Sequence, residues 1–213
     1  MNKTSLPVGT WTFERPERCV EGMNDTALSD VIVLLAEAAK ILRQHKLLEA
    51  KSLTADEWLT GRENGIRFEE VSEALPSEYE DFETLLSAVR RLDLSDRLPT
   101  SITLLGSTAL EMPDGADTWV DDAVRLSGRT FIYISAQVST YVDVWMPYDL
   151  RGVEQRDVFE RNGPRLATAL SEIAELSAVQ VLDHDLTDYA QVAGFSLINH
   201  TDSLGNPISV LDS

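Results

Sequence analysis

From Thr130 to Pro147 the chain reads TFIYISAQVSTYVDVWMP, and its side chains change character at almost every step. A period of two is the signature of a β-strand, whose successive side chains point to opposite faces. Ile132, Ile134, Ala136, Val142, Val144 and Met146 fall in one phase; Phe131, Tyr133, Ser135, Tyr141, Asp143 and Trp145 fall in the other. If the stretch folds back through Gln137-Val138-Ser139, Ile134 meets Val142 and Ile132 meets Val144 on an aliphatic face. A two-residue turn would set Ile134 on the face of Asp143, so the pattern selects the odd loop. The opposite face then pairs Phe131 with Trp145 and Tyr133 with Asp143. Tyr133, Tyr141, Asp143 and Trp145 are therefore expected to form a partly exposed binding face, since tyrosine and tryptophan beside acid anchor protein interfaces.

The rest of the chain predicts an α+β protein: a helical N-terminal half packed with a mainly antiparallel sheet, a meander around residues 101–147, and a C-terminal helix. Trp11 and Phe13 suggest a short edge strand broken by Pro16. Leu28, Val31, Ile32, Leu35, Ala39 and Leu42 make the stripe of a core helix from about Thr26 to Ala50. Thr54-Ala-Asp-Glu57 and Ser77-Glu-Tyr-Glu80 have the spacing of capping boxes and predict a short helix through Trp58 and a longer one over 78–92, with a further helical turn at 68–75. After Pro99, alternation over 101–112 predicts a strand, while 117–126 fits a strand or a short helix equally. A helix over 164–178 and short strands at 179–182, 195–199 and 207–211 complete the reading. The change of texture at Pro99 separates a mostly helical lobe, 1–98, from a sheet-rich lobe, 99–213, taken as layers of one domain spanning 1–213.

Charge narrows the partners. The chain carries 36 Asp and Glu against 18 Lys and Arg, a net charge of −18. Phosphate backbones are gripped by Lys and Arg, so this balance argues against nucleic acid and anionic membranes and favours a basic protein partner. Glu69, Glu70, Glu73, Glu78, Glu80, Asp81 and Glu83 run without an intervening cation and make a second candidate docking surface. No apolar run approaches a membrane span, and no apolar signal segment follows Lys3. The single cysteine, Cys19, excludes an internal disulfide and fits a reducing cytoplasm.

Candidate chemistry is sparse. Leu105-Gly106-Ser107 follows a strand and resembles the opening of the nucleotidyltransferase pattern, which implies a divalent metal held by two carboxylates two residues apart. The acids that follow are Asp117, then Asp121 and Asp122, which are adjacent and diverge on a strand, with Asp143 as a third acid further on. Asp183-His184-Asp185 has metal-ligating chemistry at a spacing whose members seldom converge. No phosphate loop, dinucleotide fingerprint or serine-nucleophile elbow is present, so no catalytic residue, metal or cofactor is assigned. The expected function is that of an acidic cytoplasmic protein-binding protein, most concretely an immunity or antitoxin-like inhibitor that occludes the basic cleft of a bacterial toxin. A divergent metal-dependent nucleotidyltransferase-like enzyme and an assembly subunit are the alternatives.

Overall fold

Alternation becomes architecture in six neighbouring strands. A computed structural model describes residues 1–19, 25–61, 65–76, 79, 81–92, 99, 101–130, 133–176, 180–182 and 187–211, with backbone alone at 16–19, 57–61, 65–71, 130 and 180–182. In chain order the elements are β1 (Gly9–Cys19), α1 (Asp25–Gln44), β2 (Glu49–Gly61), β3 (Gly65–Ala74), α2 (Phe82–Arg91), β4 (Ser101–Glu111), β5 (Asp117–Asp121), β6 (Val124–Thr130), β7 (Tyr133–Thr140), α3 (Arg156–Leu176), β8 (Gln180–Leu182), β9 (Gln191–Ala193) and β10 (Ser196–Ile198). The protein is α+β with a mainly antiparallel sheet, ordered β3-β2-β4-β6-β7-β1-β8, and β5 pairs with the far half of β4.

Cross-strand register sorts this sheet into rows of one character. One row runs Trp11, Val138, Leu126, Leu104, Leu53; the next runs Phe13, Ala136, Gly128, Ile102, Ala55. The row between them is Thr12, Gln137, Ser127, Thr103, Thr54, Ser72. Apolar rows therefore all point to one face and polar rows to the other, as expected of an antiparallel sheet with one covered side. The apolar face packs on α1, α2 and α3 in a core that draws on residues from Val8 to Leu197. At Gly128 the approach of α1 is so close that a Cβ would lie 2.6 Å from Val31 and 2.8 Å from Leu35 side-chain carbons.

Several expectations are corrected. The N-terminal half is not helical: β1 precedes α1, and β2 and β3 occupy most of 49–74. Thr54-Ala-Asp-Glu57 opens no helix, because Leu53 and Ala55 point into the core while Thr54 and Asp56 line the polar face, a period of two that a helix would scramble. The turn expected at 68–75 is β3 for the same reason. Trp11 and Phe13 lie not on an edge but between β7 and β8, fully buried, and the strand continues through Pro16. α2 starts at Phe82 with Asp81 as its N-cap, accepting from Thr84 N at 2.8 Å, which moves the start four residues beyond the expected Glu78. α3 begins at Arg156, ahead of the start expected at Pro164, and passes through Asn162-Gly163-Pro164. Asn162 instead serves the sheet from inside the helix, accepting from Glu111 N and donating to Glu111 O, both at 2.9 Å.

The meander is present as β4, β6 and β7, but the expected hairpin within 130–147 does not form. Residues 133–140 are one uninterrupted strand, paired with β6 on one side and β1 on the other. Two full-length neighbours satisfy its main chain, so a return strand through 137–139 has no place. The ambiguous 117–126 segment is strand on both sides of a break, β5 then β6, with Asp122 in the left-handed region at φ 52°.

Candidate functional site

The polar face of the sheet carries no helix among the described residues, and its concavity encloses a cleft of about 590 Å³. Thr10, Ser139 and Gln137 wall it from β1 and β7, Arg125, Ser127 and Arg129 form its middle, and Thr103, Thr54 and Asp56 close the far side. Strand alternation puts every one of these side chains on the same face. Hydroxyls tie neighbouring strands together: Thr10 Oγ1 and Ser139 Oγ are 3.2 Å apart, Thr103 Oγ1 and Ser127 Oγ 2.8 Å. Gln137 Nε2 donates to Thr12 Oγ1 at 3.2 Å, and Ser101 Oγ donates to Asp56 at 2.6 Å. The Arg125 guanidinium stacks on the Tyr141 ring, 4.4 Å from its centroid, with Asp122 3.9 Å away. Glu14 lies in the row of Ser135, Arg129 and Ser101, and burial raises its carboxyl above the ordinary value.

The sequence-predicted residues divide between this face and the interior. Tyr133 and Tyr141 are half-buried at the two ends of the polar face of β7. Asp143 and Trp145 are not on a face at all: their exposures are 0% and 1%. Asp143 is taken inward because it is fully used there, accepting from Asn2 N at 2.8 Å, Asn2 Nδ2 at 2.7 Å and Leu150 N at 3.1 Å. That corrects the expected aromatic and acidic surface, since neither residue has area to offer a partner. In the acidic run, Glu73 pairs with Arg91 at 2.7 Å and Asp81 is the exposed helix cap. The side chains of Glu69 and Glu70, and Glu78 and Glu80 altogether, lie outside the described residues, as do Asp183, His184 and Asp185.

The Gly-Ser segment has a structural use. Gly106 faces the β2 main chain, where a Cβ would be driven into the Glu49 carbonyl and sit 2.6 Å from Ala50 Cα. This contact is at the register shift between Ala50 and Ser52. Ser107 Oγ donates to Asp121 at 2.6 Å, and Lys51 pairs with the same carboxylate at 2.9 Å. Asp122 lies beside Arg125, and Asp143 is committed to Asn2, so the three acids do not converge. No group of three or more potential metal ligands occurs among the described residues.

These pairings set a pH dependence. The Ser107 hydroxyl, then Lys51, holds the Asp121 carboxyl below its ordinary 3.8, and Lys46 does the same for Asp117. Both pKa values are depressed on folding, so the stabilisation is complete above the unfolded value and is lost as pH falls through the folded one. Thermal unfolding should show a small loss of stability below about pH 4, diminished in Asp121→Asn. An unchanged acid limb in that variant would refute the assignment.

One candidate residue was missed by sequence. Trp119 on β5 is 56% exposed, opposite buried Ala109 and flanked by Asp117 and Asp121 on the same side of the strand. Among the described residues β5 pairs only with β4, leaving its outer edge open. The sequence signal was the Asp-x-Trp-x-Asp alternation, obscured by an equally good helical phase. No described helix is long and apolar enough to cross a membrane. No family model, curated protein or solved structure matches this chain.

Proposed function

We propose that the protein is a cytoplasmic binding protein for a basic protein partner, in its most concrete form an immunity-type inhibitor that covers the cationic cleft of a bacterial toxin. The observation that carries the reading is Trp119, a large aromatic exposed on an open strand edge in a chain of net charge −18. Exposed tryptophan is the residue type most enriched among interface hot spots. An unpaired strand edge offers main-chain hydrogen bonds to an incoming segment. Long-range attraction from the acidic chain steers a cationic partner, and Trp119 anchors it. The polar sheet face is a poorer place for such a partner, because Arg125 and Arg129 lie there.

Proteins of the native host should be passed over the immobilised chain at low salt and eluted with rising salt. One stoichiometric basic protein is expected, released by salt, with its activity suppressed in the complex. Trp119→Ala should weaken that complex by about 2 kcal/mol while leaving urea unfolding within about 0.5 kcal/mol. Equal retention of the partner by wild type and Trp119→Ala would remove β5 as the contact, and absence of any basic partner would remove the reading.

A further inference from the structure

The cleft on the polar face has a charge pattern opposite to that of the molecule. Its lining holds two arginines, Arg125 and Arg129, and one acid, Asp56, whose carboxylate already accepts from Ser101. Several other arginines are taken up by acids: Arg43 by Glu49 at 3.0 Å, Arg91 by Glu73 at 2.7 Å, Arg161 by Glu111 at 2.8 Å. Arg125 differs. Its Nε is buried with no hydrogen-bond partner, and Asp122, at 3.9 Å, is beyond hydrogen-bonding distance. The planar group is held by stacking on Tyr141 rather than by an internal carboxylate. A guanidinium fixed in place and still 36% exposed is the side chain best suited to a carboxylate or phosphate.

Around that cation the walls are hydroxyls and an amide. Ser127 stands between Arg125 and Arg129 on the same strand face, with Thr103 and Gln137 beside it in the same row. Four residues of strand separate the arginines by about 13 Å along β6. This span is long enough for an anionic group at Arg125 and a small polar body over Ser127. Hydroxyl and amide walls complement a ligand body that carries its own hydroxyls, since each can both donate and accept.

We propose that this cleft binds a small polyhydroxylated anion, a sugar-sized body bearing a phosphate or carboxylate, with Arg125 as the anionic anchor and Ser127, Thr103 and Gln137 as the polar floor. The site is separate from the β5 edge, so its test does not depend on a protein partner.

Glucose 6-phosphate and gluconate distinguish the phosphate and carboxylate arms; glucose and inorganic phosphate test body and anion alone. Binding is read by calorimetry and by the arginine Nε–H resonances in NMR. At least one polyol anion should bind saturably with Kd below about 1 mM, moving the Arg125 resonance, while glucose and phosphate alone bind more weakly. Arg125→Gln should weaken that binding at least tenfold, a change of about 1.4 kcal/mol, and Arg90→Gln on α2 should leave it unchanged. Ser127→Leu, which fills the floor without altering charge, should also abolish it, with circular dichroism reporting that both variants are folded. No saturable binding of either polyol anion up to about 10 mM overturns the proposal. So does equal binding by Arg125→Gln, or glucose binding as tightly as its phosphate.

Discussion

Replacing Asp143 with alanine should lower the unfolding free energy by about 3–5 kcal/mol, measured by urea denaturation. The carboxylate is fully buried and accepts three hydrogen bonds, two from Asn2 and one from Leu150 N. Alanine strips the acceptors and leaves those donors facing an apolar methyl, and each unsatisfied group costs about 1–3 kcal/mol. Asp143→Asn should recover only part of the loss, because its amide sets a second donor against N–H groups already there. The contacts also tie the first residues to the 141–150 segment, so the alanine variant should expose the N-terminal strand to proteolysis. A loss under about 1 kcal/mol would mean that water reaches these donors and the carboxylate is not their essential partner.

The second large effect is expected at Gly106. Alanine there would press its Cβ against the Glu49 carbonyl and Ala50 Cα, main-chain atoms that cannot rotate away. The β2–β4 ladder must shift, at a cost of about 3 kcal/mol or more. Gly128→Ala meets only the Val31 and Leu35 side chains of α1, which can repack, and should cost less. If Gly106→Ala were as stable as wild type, β2 and β4 would have to lie further apart than this register sets them.

What was legible in the sequence was periodicity, and it was legible one strand at a time. The odd positions from Tyr133 to Tyr141 do share the uncovered face, and the even positions from Ile134 to Val138 do enter the core. α1 was recoverable because its apolar stripe is wide and long. Tertiary pairing was not legible. Val142, Val144 and Met146 continue the apolar phase, yet they are buried outside any strand, where an alternating pattern and an irregular buried segment look alike. Asp143 was read as a mark of exposure, and its burial depends on Asn2, a partner 141 residues away. The capping box at Thr54 failed for a related reason: Thr-x-x-Glu is short enough to occur by chance in a strand, whereas Ser77, Glu78 and Glu80 of the second box lie outside the described residues. The cleft was hidden because its residues come from five strands, none of which is distinctive alone. Serine and threonine on a strand read as a solvated face until the register gathers them around Arg125.

The placement of β1 has a consequence for how the protein is made. Trp11 pairs with Val138 and Phe13 with Val181, so β1 leaves the ribosome well before either strand that flanks it. At translation speeds of about 5–20 residues per second, Trp11 waits about 6–25 s for its β7 partner to be synthesised. During that interval two large aromatics have no sheet to enter, and α1, emerging next, is the nearest apolar surface able to shelter them. Codon changes that slow synthesis between α1 and β7 would lengthen the exposure. The nascent chain would then depend more heavily on chaperones that mask aromatic segments, although the finished protein would be unchanged.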